Sequence, residues 1–362
     1  MRLRTVVGVV ELCVWYGYDP AAHHWGCPIR QQWGLSAHQQ ISPGLQDRLG
    51  FTVTATGSYE QAAAVAAKWG CPTDDATLHA LAQRLGARAE AHTQQRLATV
   101  PTEIASRRAP SALTVRMLDG WQVRQRGLGW GRKRTKKPRV QWHELKTGVA
   151  YRHDQAGQTA GGRGLLAQKR VVSWQGEPLE LGRRLHWEAL RHGLARSRDV
   201  LVVADGAPWI WKVVADRWAG ATELLDFYHA SQHLWELGRA LSRGDDAQAA
   251  AWVQPRRHQL RHGKERRLLQ ELATMRPPHG PAGEIVRREQ RYFAGHTQRM
   301  NYDALARRGW PISSGAVESA CRQRQCRFKR SGQFWTATGL RHLAALVEAQ
   351  ANDHWDELWQ PN

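Results

Sequence analysis

Three acidic residues fall where separate structural elements should end or begin. Asp119 follows the apolar run in "ALTVRMLDG", Asp205 follows "VLVVA", and Glu318 lies early in the helical pattern of "PISSGAVESACRQRQCRF". Carboxylates brought together from separate elements can clamp two divalent ions about 4 Å apart, activate a water or a 3′ hydroxyl, and stabilise the leaving oxygen in phosphodiester displacement. Hard oxygen ligands of this kind suit Mg2+ or Mn2+, whereas thiolate and imidazole suit zinc. Taken singly, each acid reads as well as a cap, a turn residue or a salt-bridge partner, and the Asp119-Gly120 dipeptide is a common turn signal.

A second group lies in "LLDFYHASQHLWELG", where Asp226 ends an apolar run and His229 and His233 follow four residues apart. On a helix both imidazoles would share one face and could meet one ion. Ala230 stands where a zinc-protease helix places its glutamate, so that motif is absent. Two readings stay open: a metal-ligand pair, or a helix start whose histidines make ordinary hydrogen bonds. If Asp226 ends a strand beside the one bearing Asp205, His229 falls at the rim of the acidic site, while His233 has no assignable chemistry. Cys13, His23, His24 and Cys27 could also gather a metal, but their spacing fits no common pattern.

These residues need a scaffold that brings strand ends together. Residues 112–120 and 121–127 read as a hairpin turning at Asp119-Gly120, and 140–152 as a third strand. A helix is expected near 183–196. The unbroken apolar run Val200–Ala204 suggests a strand buried on both faces, followed by a helix, and the stretch around Asp226 repeats that plan. The order β-β-β-α-β-α-β-α describes an α/β fold, a mixed sheet flanked by helices. Residues 239–310 are helical and basic, interrupted by "MRPPHGPAG", and two more helices close the chain. Upstream, residues 4–16 alternate like a strand. From Ser58, an Ala-rich helix, a Gly70-Cys71-Pro72 break and a second helix capped among Thr73, Asp74 and Asp75 form a helix-turn-helix shape. This shape serves DNA binding in some proteins and plain packing in many. The segment 102–112 reads as a linker.

Charge selects the partner. Over 362 residues, 52 Lys+Arg stand against 32 Asp+Glu, a formal net charge of +20 and a sequence pI of about 10.6. A polyanion is the leading expectation, with a generally basic surface or anionic lipid as alternatives. The cations cluster: residues 121–140 carry eight basic side chains and no acidic one. Arg132, Lys133, Arg134, Lys136, Lys137 and Arg139 would track phosphates there, as would Arg322, Arg324, Arg327, Lys329 and Arg330 in "RQRQCRFKR". The five cysteines form an odd set without a disulfide framework, which points to a reducing compartment. No stretch reaches the ~18 apolar residues of a membrane span, and the N-terminal apolar stretch lacks a good cleavage site. The expectation is a cytoplasmic protein.

In this order, "VLVVADGAPWIW", "LLDFYHASQHLWELG" and "PISSGAVESACRQRQCRFKRSGQFW" resemble the catalytic region of bacterial insertion-sequence transposases of the ISKra type. The likeness runs from about residue 110 to the end, and more loosely over 30–100. It implies a ribonuclease H-like fold with a DDE triad of Asp119, Asp205 and Glu318 holding Mg2+ or Mn2+. It also implies that Asp226 and His229 form a D-x-x-H element, that residues 239–310 are a helical insertion, and that the substrate is double-stranded DNA bound by a homo-oligomer. The expected organisation is an irregular segment 1–40, a helical domain 41–105 that is a candidate for DNA binding, the catalytic core 110–238, the insertion 239–310, and the C-terminal helices of the core 311–362. Such transposases commonly extend further upstream than Met1. A nuclease without strand transfer, or an inert DNA-binding derivative, would share these features.

Overall fold

The computed structural model describes residues 1–360 except 22, 34, 36–38, 99–112, 135, 163, 167, 195, 196 and 198. The expected linker, 102–112, lies outside the described residues. The chain divides into two compact units. One comprises Met1–Thr99, Val123–His143 and Gln323–Asn362; the other comprises Val100–Gln122 and Glu144–Arg322.

In the first unit, residues 4–16 do not form one strand. Strand β1 (Arg2–Thr5) pairs antiparallel with β2 (Gly8–Glu11), and Gly8 at the turn has φ +115°. A second small hairpin joins β3 (Gly17–Asp19) and β4 (His24–Gly26). In it, His23 bonds Tyr18 Oη at 3.2 Å and His24 Nε2 lies 3.0 Å from Gln31. A short helix α1 (Pro28–Gln32) follows. Helix α2 (Pro43–Ala55) lies within the stretch 41–105 expected to be helical, although the first helix expected there starts at Ser58. Its β-branched residues obscure the helical period, but Ser42 accepts the Leu45 N–H and Pro43 begins the first turn, a strong start signal. Helix α3 (Tyr59–Lys68) is capped by Ser58 as expected, and α4 (Asp75–Ala98) starts behind Asp74, whose carboxylate accepts the Thr77 N–H at 2.7 Å.

The second unit is built on a five-stranded sheet. Strand β5 (Thr114–Arg126) and strand β6 (Val140–Arg152) form a long hairpin whose tip counts with the first unit. After the small pair β7 (Ala156–Gln158) and β8 (Gly164–Leu166) come β9 (Lys169–Trp174), helix α5 (Pro178–Arg191), β10 (Val200–Ala204), α6 (Pro208–Arg217) and β11 (Thr222–Leu225). The strand order is β11-β10-β5-β6-β9, with β5, β10 and β11 parallel and β9 antiparallel to β6. Helices α5 and α6 cover one face, burying Leu181, Leu185, Ile210 and Val213 against Leu118, Ala150, Val172 and Val202. Helix α7 (Phe227–Leu241) follows β11. The basic region forms α8 (Asp246–Arg261), α9 (Glu265–Thr274), α10 (Pro281–Gly295) and α11 (Tyr302–Arg307). Helix α12 (Gly315–Phe328) begins in this unit, and α13 (Ala337–Ala351) belongs to the first unit, where it packs along α4. Among the described residues, no helix is long and apolar enough to cross a membrane.

Three expectations change. Asp119-Gly120 is no turn: the chain stays extended through it, and Asp119 lies inside β5. A Cβ at Gly120 would stand 2.4 Å from Glu144 Oε1 on the neighbouring strand, so a larger residue would have to displace that carboxylate. The third strand is therefore β9, which follows the glycine-rich stretch and was not foreseen. Helix α5 begins at Pro178, earlier than 183, because Pro at the first turn starts the helix ahead of its apolar period.

Candidate active site

Register brings the acids together. Leu118 of β5 is paired with Ala204 of β10, and Ala204 with Leu225 of β11. The next residue on each strand is an aspartate, so Asp119, Asp205 and Asp226 form a row at the carboxyl ends of three parallel segments, where open α/β sheets bind ligands. Glu318, in the first turn of α12, joins them on a cavity of about 330 Å³ that His229, Ser313, Ser314 and Gln232 also line. No Lys or Arg lines this cavity among the described residues.

Each acid is held differently. Asp119 Oδ1 accepts the Gly120 N–H at 2.7 Å, and the Cys321 thiol, one helical turn beyond Glu318, also donates to it. Burial, then the Asp205 charge, raises the Asp119 carboxyl above its ordinary range against those two hydrogen bonds, and Glu318 adds to the rise. Asp205 Oδ1 accepts the Ala207 N–H at 3.0 Å. The chain turns after it through Gly206, at φ +97° and with His296 Nε2 2.9 Å from the position of a Cβ, so only glycine fits. Asp226, 1% exposed, caps α7 by accepting the His229 N–H at 2.6 Å and also accepts the Ser314 N–H. Ser314 Oγ in turn donates to Glu318 Oε1 at 2.9 Å. One buried carboxylate thus ties the starts of α7 and α12, and with them His229 and Glu318.

No three of these acids bring their ligating oxygens within 4.8 Å of one another. A hard divalent ion fits the donor set: Asp119, Asp205 and Glu318 offer oxygen ligands on a cavity with no Lys or Arg in its lining, and burial first, then the neighbouring carboxylate charges, raise the Asp119 carboxyl.

The two histidines of α7 part company. His229 lines the cavity; His233, its ring 5.0 Å away, does not. His233 Nδ1 bonds Glu289, a fully buried residue of α10, which also accepts from Arg288. Burial pushes the Glu289 carboxyl up, and the bonds from His233 and Arg288 outweigh it, leaving it below its ordinary value. The His233 ring stacks on Tyr292 at 3.6 Å and 19°. Tyr292 Oη donates to the backbone carbonyl of Asp205 at 3.1 Å. Burial, then the charges of Asp205, Glu289 and Asp226, push the Tyr292 hydroxyl far up, so it stays a donor.

The sequence offers Ser314 only as a helix cap, and it does not single out Cys321, Glu289 or Tyr292. The spacing Ser314, Glu318, Cys321 on one helix face was the available signal; nothing local pointed to α10. Among the expected phosphate contacts, Arg132, Lys133, Arg134, Lys136, Lys137 and Arg139 are exposed at the tip of the β5–β6 hairpin, and Arg322, Lys329 and Arg330 are exposed on or just after α12. Arg139 also braces the loop by donating to the Arg132 and Lys133 carbonyls at 3.2 and 3.3 Å. Arg324 and Arg327 do not join this exposed set, contrary to expectation. They lie on the buried side of α12, 9% and 6% exposed, and Arg327 donates to Gly57 and sits over the Tyr59 and Trp335 rings.

No family model matches the chain, and no curated protein matches it. Among solved structures it is similar to a Drosophila P element transposase strand transfer complex, at 10% identity and a TM-score of 0.26, over 92% of this chain and 82% of that one. So low a TM-score bears on neither fold nor function, and the chemistry must be read from the site itself.

Proposed function

We propose that this protein is a metal-dependent DNA transposase with a ribonuclease H-like catalytic unit, of the insertion-sequence kind its motifs resemble. The observation that carries the reading is the in-register row of Asp119, Asp205 and Asp226 facing Glu318 across a cavity without a basic lining. The mixed five-stranded sheet supports the fold assignment. In the first reaction a water oxygen attacks phosphorus at the element's end, the bond from phosphorus to the 3′ oxygen breaks, and a free 3′ hydroxyl results. In the second, that hydroxyl attacks a phosphorus of the target strand and displaces its 3′ oxygen. Magnesium or manganese would supply Lewis-acid polarisation of the attacking and leaving oxygens. Asp119, Asp205 and Glu318 are the residues to hold the cations. Asp226 keeps the two helix starts in place, and His229 at the cavity wall is poised to meet the scissile phosphate. The exposed cations of the hairpin tip, with Arg322, Lys329 and Arg330, neutralise DNA phosphates. Double-stranded DNA at the element's ends and target, a homo-oligomer assembled on it, and a bacterial cytoplasmic, nucleoid-associated location belong to the same proposal.

A strand-transfer assay with a pre-cleaved end in magnesium tests it. Asp119→Asn, Asp205→Asn and Glu318→Gln should each abolish cleavage and transfer while leaving DNA binding intact. Cleavage without joining would make the protein a nuclease, and binding with neither reaction would make it an inert derivative. Full activity in Asp205→Asn together with none in Asp226→Asn would reassign the second metal ligand.

A further inference from the structure

The tip of the β5–β6 hairpin carries more than charge. Along β5 the side chains alternate, Val123 and Gln125 inward and Arg124 and Arg126 outward, so the two arginines share one face. The same face holds aromatic rings left open to solvent: Trp142 is 54% exposed and Trp130 38%. Arg124 lies 5.8 Å over the Trp142 ring and 5.0 Å over Phe334, Lys329 lies 5.6 Å over Trp142, and Arg126 lies 5.3 Å over Trp130. Trp130 and Phe334 meet at 4.9 Å and 43°. All of these residues belong to the first unit.

A duplex needs only cations from such a face, because its bases are paired and stacked on one another. Phosphate binding alone does not explain why two indoles stay in water beside these cationic groups. Exposed rings interleaved with cations match an unpaired strand, whose bases stack on aromatic and guanidinium planes while its phosphates meet Lys and Arg. The neighbouring loop, with Arg132, Lys133, Arg134, Lys136 and Lys137 exposed and no acid between 121 and 140, extends the phosphate track. We infer that this face binds unpaired DNA, with Trp142 and Trp130 as base-stacking platforms. The inference rests on the reading of DNA as the partner but not on catalysis.

The test uses the full-length protein in EDTA, so that cleavage plays no part. Fluorescence anisotropy would measure affinity for three labelled probes: a thymidine oligonucleotide, the same backbone with abasic sites, and a duplex of equal length. Stacking predicts that the thymidine strand binds at least about 10-fold more tightly than the abasic strand. Trp142→Ala should remove most of that difference and leave the duplex affinity within about twofold, whereas Trp142→Phe should keep it. Both substitutions are at an exposed position, and an unchanged circular dichroism spectrum would verify folding. Equal binding of thymidine and abasic strands by the parent overturns the inference, as does an equal loss by Trp142→Ala on all three probes. Either result would leave the transposase reading standing. Failure to bind any of the probes would overturn both.

Discussion

Asp119→Asn should have opposite effects on stability with and without divalent cation. Asp119 faces Asp205 and Glu318, and its folded pKa lies above its ordinary value through burial and then those charges. A group of this kind contributes fully to stability below its unfolded pKa, and that contribution is lost as pH rises through the folded pKa. At neutral pH without a counter-cation, the ionised group is therefore a net cost. Two unit charges about 6 Å apart at an effective dielectric of about 20 repel by about 3 kcal/mol. The cavity is open to water and the Asn side chain still accepts the Gly120 N–H, so a net gain of about 1 kcal/mol is expected in EDTA, or about 2–4 °C in Tm. With Mg2+ at about a hundredfold excess over Kd, binding should stabilise the parent by about 2.7 kcal/mol, and the variant, short of one ligand, by much less. Thermal melts at pH 7.5 across a magnesium series should thus cross, the variant melting higher in EDTA and lower in saturating Mg2+. The same EDTA melts should show the parent losing ground to the variant as pH is raised from about 4. Curves that never cross, or a variant that magnesium stabilises as much as the parent, would refute the electrostatic account and remove Asp119 from the metal site.

Other perturbations probe the supports. Asp226→Ala deletes the acceptor for both the His229 and Ser314 N–H groups, and denaturant titration should show a loss of about 1–3 kcal/mol together with slower cleavage. Tyr292→Phe keeps the stack on His233 but loses the bond to the Asp205 carbonyl. It should raise the magnesium concentration needed for half-maximal cleavage several-fold with little change in Tm, and an unchanged metal requirement would make Tyr292 mere packing. Replacing Arg132, Lys133, Arg134, Lys136 and Lys137 by Gln should flatten log K against log salt for duplex DNA by up to about 0.9 for each phosphate no longer neutralised. An unaltered slope would mean that the loop is only solvated.

What the sequence disclosed follows physical range. The run Val200–Ala204 is apolar at every position because β10 lies between β5 and β11 and is covered by helices, and such burial leaves its mark residue by residue. The starts of α3 and α4 were readable because a cap is a local device. Asp119 was found for an incomplete reason: Asp-Gly commonly marks a turn, yet here the strand runs on through it, paired with neighbours that no local pattern encodes. Strand β9 was missed because "KRVVSW" is short and begins with two charged residues. Arg324 and Arg327 were misread because charge suggests exposure, while the helical period of α12 turns both inward. The face of a helix is decided by what packs on it, and composition is silent on that.

The pair of histidines in α7 shows the same limit and what lies past it. Four-residue spacing does set both imidazoles on one face, 5.0 Å apart, but the chemistry of each is decided by different elements. His229 looks onto the acids of the sheet ends, whereas His233 is taken by Glu289, which belongs to a helix 56 residues later in the chain. That bond fixes the His233 ring against Tyr292, and Tyr292 reaches the carbonyl of Asp205. His296, beyond the end of the same helix, closes on Gly206. The helical region between Asp205 and Glu318 thus bears on the site, because Tyr292 and His296 meet the turn that presents Asp205. A shift of α10 would therefore move Asp205 without touching its carboxylate. Glu289→Gln, on a helix that carries none of the cavity's acids, should therefore weaken cleavage through Asp205 and leave Asp119 unaffected. The sign follows from the bonds: the depressed Glu289 pKa contributes stability above its unfolded value that is lost as pH falls through the folded one, so the parent's acid limb should flatten in the variant. An identical acid limb in pH-dependent melts would mean that the His233–Glu289 pair does not hold α10 in place.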